Sequence, residues 1–307
     1  MPFMLEGRQA TNTEIEVNGA TSVWSLLSCI RYREVLLLQG APFMGIIFSV
    51  GSLTVRKIPT IALFGLASFL LVAHIWSLND CADFHVDRLD ENKSADTASS
   101  KGIDFPMMHR FSLLLLVPSL GLFSLLPLQT LLVAVCVAIL GFLYSSSSIA
   151  AKGVAFLSSV LHFIGGGLHF LLGYALFMSI DRHAMLIAPF FALIFTAGHA
   201  TQEVQDYDAD RLFGIRTNAV VFGKRPVFIA ALIGFTFAYG YLAYLALAGI
   251  VPTRLGLLSL ILFPLHLFWS VKTLHRGLTF ERLIQFRIRY RMLFALMGLA
   301  MISTLFL

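Results

Sequence analysis

Charge is scarce in this chain and cysteine scarcer still. Only 13% of its 307 residues are charged, against 58% hydrophobic, a balance that excludes an ordinary soluble domain. The three cysteines, Cys29, Cys81 and Cys136, have neither the spacing of a disulfide framework nor that of a metal site. Reduced thiols are expected. No apolar core of a signal peptide occurs in the first twenty residues, which read as a disordered cytoplasmic tail ahead of a single domain over 21–307. The net charge of +5 does not point to nucleic acid, because the basic residues are scattered between apolar runs. A mean hydropathy of +0.83 places the chain among polytopic membrane proteins.

What is present is a set of apolar runs with acids confined to two places. The runs fall at about 34–54, 59–79, 108–126, 128–144, 154–179, 185–205, 226–250, 253–273 and 290–307. They predict an all-α polytopic membrane protein with nine transmembrane helices. Pro127 marks the weakest join, between the third and fourth runs. With a cytoplasmic N-terminus, the opposite face keeps only Arg56, Lys57, Arg182 and Arg254 among 22 Lys and Arg residues. The positive-inside rule is then satisfied, and the C-terminus lies on the opposite side. Residues 21–33 read as an interfacial lead-in. The basic run Arg282, Arg287, Arg289 and Arg291 reads as a cytoplasmic connector touching anionic headgroups.

Eleven of the 17 acids lie in 80–104 and 203–210, both cytoplasmic in this topology. Within them one pattern occurs twice. Asn79-Asp80-x-x-Asp83-x-x-x-Asp87-Arg88 is matched 123 residues later by Gln202-Glu203-x-x-Asp206-x-x-x-Asp210-Arg211. Acids at i, i+3 and i+7 share one face of a helix. A charge at membrane depth costs roughly 2.5–3.5 kcal/mol even on the lenient insertion scale. Six carboxylates gathered there therefore call for something cationic between them. The duplication reads as a divalent-metal site for a phosphorylated ligand. Asp87 to Pro106 is the longest polar loop and reads as a lid, with Asp90, Glu91, Asp96 and Asp104 as solvated loop charges.

These residues resemble the UbiA superfamily of intramembrane prenyltransferases. Asn79 to Asp87 is similar to the first signature of that family. Asp206-x-x-x-Asp210, with Gly214-Ile215-Arg216-Thr217 and Gly223 following, is similar to the second. Tyr144-Ser145, with Lys152 eight residues after the tyrosine, resembles the tyrosine–lysine element. The resemblance implies a helix bundle around a central cavity with cytoplasmic cap loops. It also implies two Mg²⁺ ions that bridge the acids to a prenyl diphosphate donor: Asp80, Asp83 and Asp87 on one, Glu203, Asp206 and Asp210 on the other. Asn79 and Gln202 would add neutral oxygens or orient the acids. Lys152 would meet the diphosphate directly, Tyr144 would donate a hydrogen bond to it, and Arg88, Arg211 and Arg216 are further candidates. Asp83, Asp206, Lys152 and Tyr144 are the expected catalytic set.

The pattern is not followed everywhere. The Arg-Pro-Ile-Pro-Ser-Gly run that commonly follows Asn-Lys-Pro is replaced here by Ser94 to Gly102. Asn218-Ala219 stands where Leu-Pro is usual, and Ser147-Ser148 where two prolines are common. These changes spare the diphosphate machinery and bear on the acceptor. His162 and His169, seven apart around Gly165-Gly166-Gly167, read as packing and hydrogen-bonding residues rather than a haem or metal site. His74 and His199 are candidates for supporting the acids. The 28 Phe, 8 Tyr and 3 Trp suit a wall that excludes water from a carbocation, although lipid-facing helices are also rich in Phe. The leading expectation is prenyl transfer to a lipophilic or aromatic acceptor, in contact with membrane lipids. A terpene cyclase on the same scaffold is the alternative, and a cation transporter a remote one.

Overall fold

The computed structural model describes residues 23–87, 98–146 and 151–306, and among them every regular element is helical. The N-terminal tail, most of the lid from 88 to 97, and Ser147-Ser148 lie outside the described residues. A short helix α1 (Val23–Leu27) leads into α2 (Tyr32–Leu38) and α3 (Gly40–Ser49). Then come α4 (Ile58–Ala82), α5 (Phe84–Asp87), α6 (Phe105–Phe123) and α7 (Leu128–Ser145). The remainder is α8 (Leu157–Tyr174), α9 (Arg182–Leu212), α10 (Asn218–Phe222), α11 (Lys224–Leu247), α12 (Thr253–Arg276) and α13 (Phe280–Ile302).

Among the described residues seven helices are long and apolar enough to cross a membrane: α4, α6, α7, α8, α9, α11 and α12. The other two expected runs depart for different reasons. The run at 34–54 is divided at Gln39, and neither α2 nor α3 reaches spanning length. Gln39 is buried and pairs with α4, where Ser68 Oγ donates to its Oε1 at 2.7 Å. The run at 290–307 belongs to a helix that starts ten residues earlier and carries four arginines in its first half.

Helix starts follow local chemistry. Asp104 caps α6 by accepting from Met107 N at 2.8 Å, and Asp181 caps α9 by accepting from Ala184 N at 2.8 Å. Asp104, read in sequence as a solvated loop charge, is thus a structural cap. Pro127 caps α7 and ends the short turn after α6.

The bundle packs α4 on α6, α8 on α9, α9 on α11, α11 on α12 and α3 on α8. Without water between helices, association relies on close backbone approach. At the α3–α8 crossing, a Cβ on Gly45 would collide with Phe170 O, and one on Gly173 with Pro42 O. Gly166 presses on α9, where a Cβ would meet Ala192 Cα at 3.0 Å, whereas Gly165 faces open space. One member of the triple glycine therefore sets the α8–α9 spacing. The C-terminal ends of α4, α7 and α9 meet the turn before α8 at one cavity, which places the acids.

Candidate active site

A cavity of about 670 Å³ opens where these ends meet. Its mouth is lined by Asn79, Asp83, Asp87, Tyr144, Lys152, Gln202, Glu203, Asp206 and Asp210. Below the mouth the wall turns apolar and aromatic, with Val72, Ile75, Phe190, Phe191, Ile194 and Phe294. Two segments 123 residues apart thus face one space. Asp80, Arg211 and Arg216 do not line it; both arginines are exposed, and Arg211 donates to Tyr207 Oη at 3.3 Å. Arg88 lies outside the described residues.

The first acidic set is held by cations of the protein itself. Asp83 ends α4, where Asn79 Nδ2 donates to its Oδ2 at 3.1 Å. Lys152, on a short 3-10 turn at Ala151–Gly153, donates to both Asp83 oxygens at 2.7 and 2.6 Å. Arg31, just before α2, reaches Asp80 Oδ1 at 2.5 Å and Asp87 Oδ2 at 3.3 Å. Its guanidinium also lies 5.4 Å from the centre of the Trp76 ring. Burial works against the Arg31 charge, but Asp80 and then Asp87 outweigh it and raise its pKa above the ordinary value. Asp80 is turned onto Arg31 rather than toward the cavity.

Hydroxyl, amide and imidazole groups hold the head of the second set. Glu203 accepts from Ser158 Oγ at 3.0 Å and from Asn218 Nδ2 at 3.0 and 2.9 Å, with His199 Nε2 at 3.1 Å. Asn218 Oδ1 in turn accepts from Phe156 N at 2.7 Å. Phe156 needs that tie, because its φ of 64° lies in the left-handed region that favours glycine. One side chain therefore fixes both the entry to α8 and the carboxylate on α9. His199 stacks on His162 with ring centres 3.5 Å apart, and Tyr144 meets His162 edge-on at 4.9 Å.

Several of these partners escape sequence reasoning. Arg31 carried no motif and read as part of an interfacial lead-in. Asn218 registered only as a departure from Leu-Pro. Arg287 and Arg291, read as headgroup contacts, instead line the cavity. Arg291 pairs with Glu34 at 3.1 and 2.9 Å, while Arg287 donates to Gln205 at 2.7 Å and Gln202 at 3.3 Å.

Whether the site suits a metal depends on the kind of ion. Among the described residues no three His, Cys, Asp or Glu side chains converge into a closed cage. Mg²⁺ does not require one, since it keeps several waters and takes one or two carboxylates plus substrate phosphates. A mouth lined by Asp83, Asp87, Asp206 and Asp210 offers hard oxygen donors of that kind, and the residues fit.

The UbiA prenyltransferase family model matches residues 41–288. The chain belongs to that family. Solved structures share its fold across nearly their whole length. A UbiA homolog from Archaeoglobus fulgidus bound to GPP and Mg²⁺ is 19% identical, with a TM-score of 0.70 over 91% of this chain and 99% of that one. A digeranylgeranylglyceryl phosphate synthase is also 19% identical, with a TM-score of 0.68 over 92% and 99%. The apo UbiA homolog from Aeropyrum pernix K1 is 16% identical, with a TM-score of 0.65 over 91% and 100%. No curated protein matches. At these identities the likeness establishes the fold. Family and apolar helices together make this UbiA protein an integral, multi-pass membrane protein of the prenyltransferase type.

Proposed function

We propose that this UbiA protein is a Mg²⁺-dependent intramembrane prenyltransferase that ionises a polyprenyl diphosphate and passes the prenyl group to a lipophilic acceptor. The observation that carries the reading is the shared cavity: two acidic sets, Lys152 and Tyr144 at a polar mouth above an apolar pocket. In the same reading, α2 with α3 forms one membrane pass and α13 another. Nine passes result, with the mouth and N-terminus cytoplasmic and the C-terminus opposite.

Asp83 and Asp87 on one side, and Asp206 and Asp210 on the other, would hold two Mg²⁺ ions that neutralise charge growing on the departing diphosphate. Lys152, now bound to Asp83, turns to a phosphate oxygen when the donor enters. Tyr144 donates its phenol proton as a hydrogen bond to the same group. The C1–O bond then breaks, its electron pair leaves with the diphosphate, and C1 becomes an allylic cation. Phe190, Phe191, Ile194 and Phe294 keep water from that cation until the acceptor attacks. Glu203 keeps α9 in register through Asn218 and Ser158, and Asp80 with Arg31 braces the end of α4.

The test is to incubate the purified protein in nanodiscs with geranyl or geranylgeranyl diphosphate, with Mg²⁺ or EDTA, and follow diphosphate release and the prenyl products. Mg²⁺-dependent binding of the donor, with diphosphate released only once a lipophilic acceptor is added, supports the reading, and the absence of Mg²⁺-dependent binding of any donor refutes it. A cyclic hydrocarbon formed without acceptor assigns the same site to a cyclase.

A further inference from the structure

On the outside of the bundle the turn before α8 packs against the segment that joins α9 to α11. A Cβ on Gly153 would stand 3.9 Å from Arg216 N, and Asn218 Oδ1 accepts from Phe156 N at 2.7 Å. None of Phe156, Arg216, Phe222 or Arg225 lines the cavity. Among the described residues Phe156 is the one non-glycine at positive φ, a conformation that is costly for a bulky side chain. The ring carried by this strained backbone is not buried. It is 66% exposed and lies 5.1 Å, centre to centre, from the ring of Phe222, which is 44% exposed. Val154, Leu212 and Val221 are exposed in the same two segments. Exposed cations stand among them: Arg211, Arg216 and Arg225. Lys224 is neutralised by Asp208 at 2.7 Å, but among the described residues neither Arg216 nor Arg225 has a carboxylate partner.

We infer that Phe156, Phe222, Arg216 and Arg225 form a binding site for an anionic phospholipid on the outer surface of the bundle. The two rings take the upper acyl region, and the two arginines take the negatively charged head. The surface on either side says what covers the pair. Val160, Phe163 and Ile164 carry the exposed stripe of Phe156 along one face of α8. Ile229, Ile233 and Phe237 form such a stripe on α11, which starts two residues after Phe222. Both helices are long and apolar enough to cross a membrane. Rings at the ends of two such stripes stand where aromatic side chains settle at the membrane–water interface. A surface continuous with lipid-facing stripes is filled by lipid rather than by a soluble protein, and arginines at that level select lipids with negative heads. The strain at Phe156, held in place by Asn218, presents the ring to that lipid. The site lies outside the cavity, so it goes beyond the prenyl-transfer reading and does not rest on it.

The experiment is native mass spectrometry of the full chain in detergent, titrated with phosphatidylglycerol or with phosphatidylcholine of the same acyl chains. It counts bound lipids and gives the affinity of each. Wild type is expected to retain phosphatidylglycerol at least about tenfold more tightly than phosphatidylcholine, as two arginines at an anionic head imply. Arg216→Gln combined with Arg225→Gln is expected to erase that preference, and Arg216→Lys combined with Arg225→Lys to keep most of it. A control removes two exposed cations elsewhere, Arg33→Gln with Arg110→Gln, and is expected to leave the preference in place. The inference is overturned by wild type showing no preference, or by the glutamine pair at 216 and 225 leaving it intact. It is equally overturned by the control erasing it as fully, because the preference then belongs to net charge alone. Displacement of bound phosphatidylglycerol by geranyl diphosphate or inorganic phosphate also overturns it, because the arginines then serve a soluble anion.

Discussion

The two acidic segments share a sequence pattern and differ in what holds them. The segment at the end of α4 is bound by cations, with Lys152 on Asp83 and Arg31 on Asp80 and Asp87. The segment on α9 is headed by Glu203, which is bound by Ser158, Asn218 and His199. A carboxylate balanced by a lysine can exchange that lysine for a metal ion when a diphosphate arrives. A carboxylate threaded into amide and hydroxyl donors is a fixture. On the proposed mechanism Asp83 marks an exchangeable half and Glu203 a preset one, and the difference lies in partners distant in sequence.

The most damaging change to the exchangeable half is Asp83→Asn. It removes a charge from the mouth and the anchor of Lys152 together. Turnover measured by diphosphate release is expected to fall by about 10²- to 10³-fold, the size seen when one electrostatic contact to a leaving group is lost. Near-normal release would break the comparison outright. Asn218→Ala strikes the preset half. It strips Glu203 of the two hydrogen bonds from Asn218 Nδ2 and frees Phe156, and should cost about 1–3 kcal/mol of stability. A lowered Tm that saturating Mg²⁺ does not restore is the expected result. An unchanged Tm would show that Glu203 needs no such fixture.

Lys152→Ala sharpens the contrast, because two effects of opposite sign are expected. Loss of the phosphate contact should raise the KM for donor by about tenfold. Freeing Asp83 should lower the Mg²⁺ concentration needed for half-maximal activity. A KM unchanged from wild type would contradict the donor contact. The mildest change is Arg31→Gln, which leaves Asp87 in place and removes a partly exposed partner. A few-fold fall in activity at low Mg²⁺, regained at high Mg²⁺, is expected of a counter-ion that shapes the site without touching substrate.

How much of this was legible in the sequence follows from the range of each interaction. The i, i+3, i+7 spacing of the acids is local, and it falls on one helix only in α9. Helix α4 ends at Ala82, Asp87 belongs to α5, and Asp80 is off the cavity. Asp83, Asp87, Asp206 and Asp210 nevertheless line it with Tyr144 and Lys152. The apolar runs from 59 to 273 became the seven long apolar helices, because hydrophobic length is a local property as well. The first and last runs were less faithful, since Gln39 divides one and the arginines of α13 charge the other. Ion pairs spanning 49 residues, as Arg31 with Asp80, or 257, as Arg291 with Glu34, leave no periodic trace. Asn218 illustrates the same limit. Alone it was a mismatch to a family motif, yet folded it ties the start of α8 to the carboxylate on α9.

The central claim is that two acidic sets face one another across a diphosphate and grip it through metal. Anomalous diffraction from crystals grown with geranyl diphosphate and Mn²⁺ in place of Mg²⁺ tests it most directly. The account predicts metal peaks at the cavity mouth, at Asp83 and Asp87 on one side and at Asp206 and Asp210 on the other, with the diphosphate between them. Density for the donor with no metal at either set, or metal at one set alone, would contradict it.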